Sequence, residues 1–187
     1  MVEPLQRSVA QGIAFDKAEL RAPELRLSRR RLAGVERAVA EAGARLEVVE
    51  APNLTIGTGR EVGRQVLLSR SVDGVVCSSD LLAVGVIQAA TDLEVRVPDE
   101  FMVVGYDDNH FASESSIPVS TVSLPGYRMG ELAVELLLKE IDQGSGHVHR
   151  TVMLDPHLIP RRSTSRLPST NNKPFRNRSS PAAPELL

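Results

Sequence analysis

Small polar side chains follow two apolar segments of the chain at the points where those segments end. A polar tripeptide, residues 78–80, follows the apolar run 73–77, and Asp107 and Asp108 follow the apolar run 101–106. Both runs are too short for a helix and rich in β-branched residues, which favours strands buried on both faces. The carboxyl ends of parallel strands meet at one edge of a sheet and build a binding crevice there. These residues therefore predict a small-molecule sensor rather than a catalyst.

The patterns that catalysis would need do not accompany these residues. Asp107 and Asp108 are adjacent, so their side chains should diverge rather than flank a bond to be cleaved. No Gly-x-Ser-x-Gly motif occurs in the sequence, and His110 has no nucleophile motif beside it. We expect no enzyme activity, no cofactor and no metal site.

Size and composition allow one hydrophobic core but not two complete domains in 187 residues. Aromatic residues make up only 3% of the chain, so Val, Leu and Ala must fill the interior. The formal net charge of -2 gives no overall reason to expect nucleic-acid binding. The single cysteine, Cys77, excludes an intramolecular disulfide and is predicted to be a small buried hydrophobe. Because no apolar run could span a membrane and the N-terminus lacks an export pattern, we expect a cytoplasmic protein.

Helix and strand patterns alternate through the middle of the chain. The predicted order is a helix from Ser28 to Gly43, a strand at 46–49, a helix at 61–68, a strand at 73–77, a helix capped by Ser79 or Asp80, and a strand at 101–106. Such alternation predicts an α/β fold, a parallel sheet flanked by helices.

The ends of the chain have less regular patterns. Residues 11–15 could form a short strand. After a polar loop at 109–118 come a short extended piece at 120–124, an amphipathic helix at 125–142, and candidate edge strands at 151–154 and 157–159. The Ser-, Pro-, Asn- and Arg-rich residues 164–187 are predicted to be a disordered tail.

Several short motifs occur in one order between about residues 28 and 164. They are RLAG at 31–34, DGVVCSSDLLAVG at 73–85, VP at 97–98, VVGYDD at 103–108, PVSTV at 118–122, a helix containing Gly130, and LIPRRST at 158–164. Together they resemble the effector-binding domain of LacI/GalR-type bacterial transcriptional repressors.

The resemblance implies a periplasmic-binding-protein-like type I fold, in which two α/β lobes close over a small effector, usually a sugar or a nucleobase-type metabolite. In such proteins an N-terminal helix-turn-helix reads operator DNA, and dimers match a palindromic site. The effector shifts the equilibrium between lobe arrangements that bind DNA differently.

The resemblance covers mainly the C-terminal lobe and the segment that returns to the other lobe. The helix-turn-helix and most of the N-terminal lobe are expected to precede residue 1, so the chain as written should not bind operator DNA. The apolar stripe of helix 125–142 is then expected to be exposed. The predicted domains are a poorly defined N-terminal remnant at 1–26, an effector-binding domain at 27–163, and the tail at 164–187.

The resemblance also implies which residues bind the effector. They are Arg31, Ser79 and Asp107, with weaker candidates at Leu54 and Gly126. Each has a simpler alternative: a solvated arginine at 31, a helix cap at 79, a turn former at 107, and ordinary loop or helix-start residues at 54 and 126. Binding requires the Arg31 guanidinium and the Asp107 carboxylate to converge on one hollow beside the sheet.

Two functions therefore compete at this point. The first is the sensor portion of a transcriptional regulator that binds a small effector, a carbohydrate by resemblance, with dimerisation expected of an intact relative. The second is a sugar-binding protein of a transport system with the same fold, which would need an export signal.

Overall fold

A computed structural model describes residues 10–16, 26–69, 72–143 and 148–165. In these residues six strands form one sheet, and five helices accompany it. The strands are β1 (Ala10–Asp16), β2 (Arg45–Ala51), β3 (Gly74–Cys77), β4 (Met102–Tyr106), β5 (Ser120–Ser123) and β6 (His157–Ile159). The helices are α1 (Arg26–Glu41), α2 (Ile56–Ser69), α3 (Asp80–Asp92), α4 (His110–Glu114) and α5 (Gly126–Gln143).

The sheet is parallel except at one edge. Its strand order is β2-β1-β3-β4-β5-β6, and only β6 runs antiparallel to its neighbour, β5. The predicted α/β class, a mostly parallel sheet flanked by helices, is confirmed. Consequently β3 and β4 lie side by side and end at the same edge.

The core is centred on α3, which is buried along most of its length. Leu82 and Ile87 of this helix are fully buried, and they pack with Val75 of β3 and Val103 of β4 in one hydrophobic cluster. Helix α2 lies very close to α3 at Gly85, where glycine leaves the space for it. A Cβ atom on Gly85 would collide with the backbone of α2. The core therefore holds α3, and with it the residues at its start, in a fixed position on the sheet.

Strand β1 lies within the segment that the sequence left poorly defined. The predicted strand at 11–15 is confirmed, and it pairs with both β2 and β3. The sheet thus extends into residues 1–26. The division into domains stays a prediction, since residues 17–25 and nearly all of the tail at 164–187 lie outside the described residues.

Two local predictions are wrong. A helix, α4, replaces part of the predicted loop 109–118, because Ala112 is buried and anchors this turn against the core. Residues 151–154 do not form a strand, and only residues 157–159 pair with β5. Pro156 separates the two segments, and a proline cannot donate a ladder hydrogen bond.

The apolar stripe of α5 is largely exposed, as predicted. Met129, Leu137 and Ile141 face solvent, whereas Leu132 and Leu136 are partly buried. Among the residues that the structure describes, no helix is both long and apolar enough to cross a membrane.

Candidate functional site

Arg31 of α1 reaches the shared edge at which β3 and β4 end. Its Nη1 donates a hydrogen bond of 2.9 Å to the carbonyl oxygen of Ser78, the residue after β3. Its Nη2 donates to Oδ1 of Asp107, the residue after β4, at 3.0 Å. The two groups that the sequence analysis required to converge therefore form an ion pair, although they are 76 positions apart.

The two members of this ion pair differ in exposure. The Arg31 side chain is 12% exposed and the Asp107 side chain 39% exposed. The guanidinium carbon of Arg31 lies 3.9 Å from the centre of the Tyr106 ring, a cation–π contact. The pair thus presents an accessible carboxylate beside a guanidinium whose position is fixed.

Three polar atoms at this edge are buried without a hydrogen-bond partner in the described part of the chain. They are Nε of Arg31, Oγ of Ser78 and Oδ1 of Asn109. Buried polar atoms of this kind are rare in folded proteins and call for a partner such as water or a ligand. All three belong to residues that adjoin the Arg31–Asp107 pair.

Asp107 and Asp108 have positive φ angles, of 95° and 53°. Positive φ is uncommon for a residue with a side chain, and Asp tolerates it better than most. The Asp108 side chain points to a different partner from that of Asp107, since Arg161 donates to its Oδ1 at 2.6 Å. The predicted divergence of the adjacent carboxylates is therefore observed: each pairs with its own arginine.

Ser79 caps α3. It has extended backbone angles, and its Oγ accepts a hydrogen bond of 3.3 Å from the Leu82 amide. Of the two caps that the sequence allowed, Ser79 rather than Asp80 performs this role. The residue is also buried, so its hydroxyl is committed to the helix start. Effector contact by Ser79 stays a prediction.

Asp80 has no exposed surface, and both of its carboxylate oxygens are hydrogen-bonded. Oδ1 accepts a hydrogen bond from the Thr121 hydroxyl at 2.6 Å, and Oδ2 accepts one from the backbone amide of Asn109 at 2.9 Å. Burial raises the pKa of Asp80 above its ordinary value, and these two hydrogen bonds oppose that rise. Gly105 leaves the space for this carboxylate, since a Cβ atom there would overlap Oδ1.

The remaining candidates make no hydrogen bond to the Arg31–Asp107 pair, although Leu54 is flanked by a cluster of hydrogen-bonded side chains, Asn53, Thr55 and Thr58. Leu54 is half-buried and packs against the core, and Gly126 is exposed at the start of α5. Their role in binding stays a prediction. Burial raises the pKa of the Cys77 thiol to about 12, which makes it a poor nucleophile. No group of three or more His, Cys, Asp or Glu side chains suited to a metal ion occurs in the described ranges.

Three residues that shape this edge were missed by sequence reasoning. Tyr106 supports the Arg31 guanidinium, Thr121 bonds Asp80, and Arg161 pairs with Asp108. Tyr106 could have been found, because a residue that directly precedes a strand-end carboxylate lies at the same edge. The other two come from segments whose position beside β4 no local pattern reveals.

Comparison with known proteins gives matches over most of the chain. The periplasmic binding protein-like domain matches residues 13–164. The HTH-type transcriptional regulator MalR of Streptomyces coelicolor is 36% identical over 116 residues, which are 62% of this chain and 33% of MalR. The chain spans between 28% and 42% of the length of curated relatives such as MalR, RegA and PurR.

Solved structures give a consistent result. A LacI-family transcription regulation repressor from Corynebacterium glutamicum has a TM-score of 0.74 and 25% identity, with 85% of this chain and 59% of that chain covered. The transcriptional regulator CelR, solved in complex with cellobiose, has a TM-score of 0.70 and 27% identity, with 84% of this chain and 47% of that chain covered.

Proposed function

Because the chain belongs to the periplasmic binding protein-like domain family and resembles part of the effector-binding domain of LacI-type transcriptional regulators, we propose that it senses a small neutral carbohydrate for a transcriptional repressor. The observation that carries this proposal is the Arg31–Asp107 ion pair, 3.0 Å long, at the carboxyl edge of β3 and β4. Ligands of open α/β sheets bind at this edge.

The chemistry of the pair suits neutral hydroxyl groups. A guanidinium donates hydrogen bonds in a fixed geometry, a carboxylate accepts them, and a sugar hydroxyl can do both. An anionic ligand would meet the accessible Asp107 carboxylate, and a cationic ligand would meet the Arg31 guanidinium. Since the two charges already balance each other, an uncharged ligand that bridges them leaves no charge unpaired.

The exposure of Asp107 supports the same class of ligand. Its side chain is 39% exposed, and Arg31 donates to its Oδ1. The second carboxylate oxygen, Oδ2, can therefore accept a hydrogen bond from a ligand hydroxyl. Leu54 would add apolar contact only, because it lacks the ring that stacks on a sugar face.

Regulation is favoured over transport by the relatives. MalR, the Corynebacterium glutamicum protein and CelR are all named as transcriptional regulators or repressors. In the proposed mechanism the effector changes the balance between two lobe arrangements, and a helix-turn-helix reads operator DNA. Pairing of two copies would match a palindromic site. We assign no catalytic step to any residue. We also propose that the protein acts in the cytoplasm.

Calorimetric titration of the full chain tests this proposal. The panel holds cellobiose and ribose as neutral sugars, glucose 6-phosphate as an anionic sugar, and adenine as a nucleobase. We expect a neutral sugar to bind, and we expect Asp107→Asn and Arg31→Lys each to weaken that binding about 10- to 100-fold, the range for a lost charge-assisted hydrogen bond.

A matched control distinguishes the site from a general charge effect. Asp99 is exposed and lies outside the edge formed by β3 and β4, so Asp99→Asn should leave the affinity unchanged. Binding of the sugar phosphate or adenine in preference to the neutral sugars would refute the carbohydrate assignment. Equal affinity in the wild type and in Asp107→Asn would refute the site.

A further inference from the structure

The turn that carries Asp107 has a backbone conformation that needs external support. We call residues 107–109 the Asp107 turn. Its first two residues have φ angles of 95° and 53°, although both carry a side chain. Consecutive residues of this kind are strained and persist where surrounding groups hold them in place.

Every amide of the Asp107 turn donates to a group outside the turn. The Asp107 amide donates to the carbonyl of Val122 at 2.9 Å. The Asp108 amide donates to Oγ1 of Thr121 at 3.3 Å, and the Asn109 amide donates to Oδ2 of Asp80 at 2.9 Å.

The two side-chain acceptors are joined to each other. The Thr121 hydroxyl donates to Asp80 Oδ1 at 2.6 Å, and both residues have no exposed surface. Thr121 therefore accepts from the turn and donates to Asp80, while Asp80 accepts from the turn with its other oxygen. We call this pair the Asp80–Thr121 clamp.

The position of the clamp is itself fixed by the fold. Asp80 begins α3, whose start is capped by Ser79 and whose body is buried in the core. Thr121 lies in β5, which pairs with β4 on one side and β6 on the other. Hydrogen bonds from α3 and β5 thus hold the backbone between β4 and α4.

From this geometry we infer that Asp80 and Thr121 are positioning residues of the proposed effector site. The inference rests on the proposed function. Neither residue contacts the effector in this scheme; both are buried beneath the Asp107 turn. They hold the turn in the conformation that directs the Asp107 carboxylate towards Arg31 and the Asp108 carboxylate towards Arg161. Without the clamp the strained turn would relax, and the Arg31–Asp107 pair would open.

Thr121→Val tests the clamp in the full chain, because it replaces the hydroxyl by a methyl group of similar size. Thr121→Ser keeps the hydroxyl and should behave as the wild type. Thr91→Val is the matched control, since the Thr91 hydroxyl bonds a carbonyl near the far end of α3. In crystal structures of these variants, we expect the distance from Arg31 Nη2 to Asp107 Oδ1 to exceed 4 Å only in Thr121→Val.

Hydrogen exchange in the wild-type chain gives a second measurement that needs no variant. The amide hydrogens of Asp108 and Asn109 should exchange slowly, although both residues lie in a turn. Rapid exchange of both amides would overturn the inference. An unchanged Arg31–Asp107 distance in Thr121→Val would overturn it equally.

Effector binding separates this inference from the proposed function. With the sugar that binds in the panel above, Thr121→Val should lower the affinity, and the double variant with Asp107→Asn should bind no more weakly than Asp107→Asn alone. Additive losses would contradict positioning through Asp107. If no member of the panel binds, the proposed function fails, while the distance and exchange measurements still decide whether the clamp holds the turn.

Discussion

Gly105→Ala is expected to be strongly destabilising, because the added methyl group enters a space bounded by two fully buried side chains. A Cβ atom at this position would overlap Asp80 Oδ1 and would lie 3.2 Å from Val119 Cγ1. Asp80 and Val119 have no exposed surface, and Asp80 is held through both oxygens. Neither neighbour can withdraw without losing packing or a hydrogen bond.

The magnitude follows from two contributions. Adding a methyl group to a well-packed interior costs about 1–3 kcal/mol. Displacing Asp80 from one of its two donors leaves a buried polar group unsatisfied, which costs about 1–3 kcal/mol more. We therefore expect the free energy of unfolding to fall by roughly 2–6 kcal/mol in Gly105→Ala.

Urea unfolding followed by circular dichroism measures this change. Gly130→Ala is the matched control, because a Cβ atom at Gly130 in α5 would have no neighbouring atom within 4 Å. Alanine is the better helix former, so the control should gain roughly 0.5–1 kcal/mol. A stability of Gly105→Ala within about 0.5 kcal/mol of the wild type would refute the view that Asp80 is held rigidly against β4.

Three further predictions concern burial. Burial raises the pKa of Asp80 above its ordinary value of 3.8, so the folded state binds this proton more tightly than the unfolded state. The resulting stabilisation is complete below the ordinary value and is lost as the pH rises through the folded-state pKa. The free energy of unfolding of the wild type relative to Asp80→Asn should therefore fall with rising pH, and a constant difference would contradict this. The Cys77 thiol, with a pKa raised to about 12, should react with a disulfide reagent at pH 8 only as fast as the chain unfolds, whereas immediate reaction of the folded chain would show that it is accessible. Leu82→Ala should cost about 2–5 kcal/mol in unfolding experiments because Leu82 is fully buried, whereas Leu137→Ala on the exposed stripe of α5 should change stability by no more than about 0.5 kcal/mol.

The fold could be predicted from the sequence because its strongest signals are local. The apolar runs at 73–77 and 101–106 and the helical spacing between them are visible without any knowledge of the rest of the chain. From them the parallel sheet and its crowded carboxyl edge follow by general rules of chain topology. The errors fell where local signals are weak: a five-residue helix, α4, read as a loop, and residues 151–154 read as a strand.

The candidate site could be predicted only in part. Arg31 and Asp107 were identified through the resemblance, and their contact follows from the positions of α1 and β4. The roles of Thr121 and Arg161 were missed, because each acts across a gap of 41 or 53 positions on a partner in another segment. Sequence spacing within one element carries no information about such pairs.

The sequence by itself determined which elements form, in what order they occur and at which edge of the sheet their polar residues collect. These properties depend on apolar periodicity and on the end of each strand, which are written in consecutive residues. Only the tertiary structure decided that Ser79 caps α3, that Asp80 is buried against Thr121, and that Asp107 and Asp108 point to different arginines. These hydrogen-bond and ion-pair partners depend on which donors and acceptors from separate segments are buried together. Packing across the whole sheet determines that, because a buried polar group is costly unless it finds a hydrogen-bond partner.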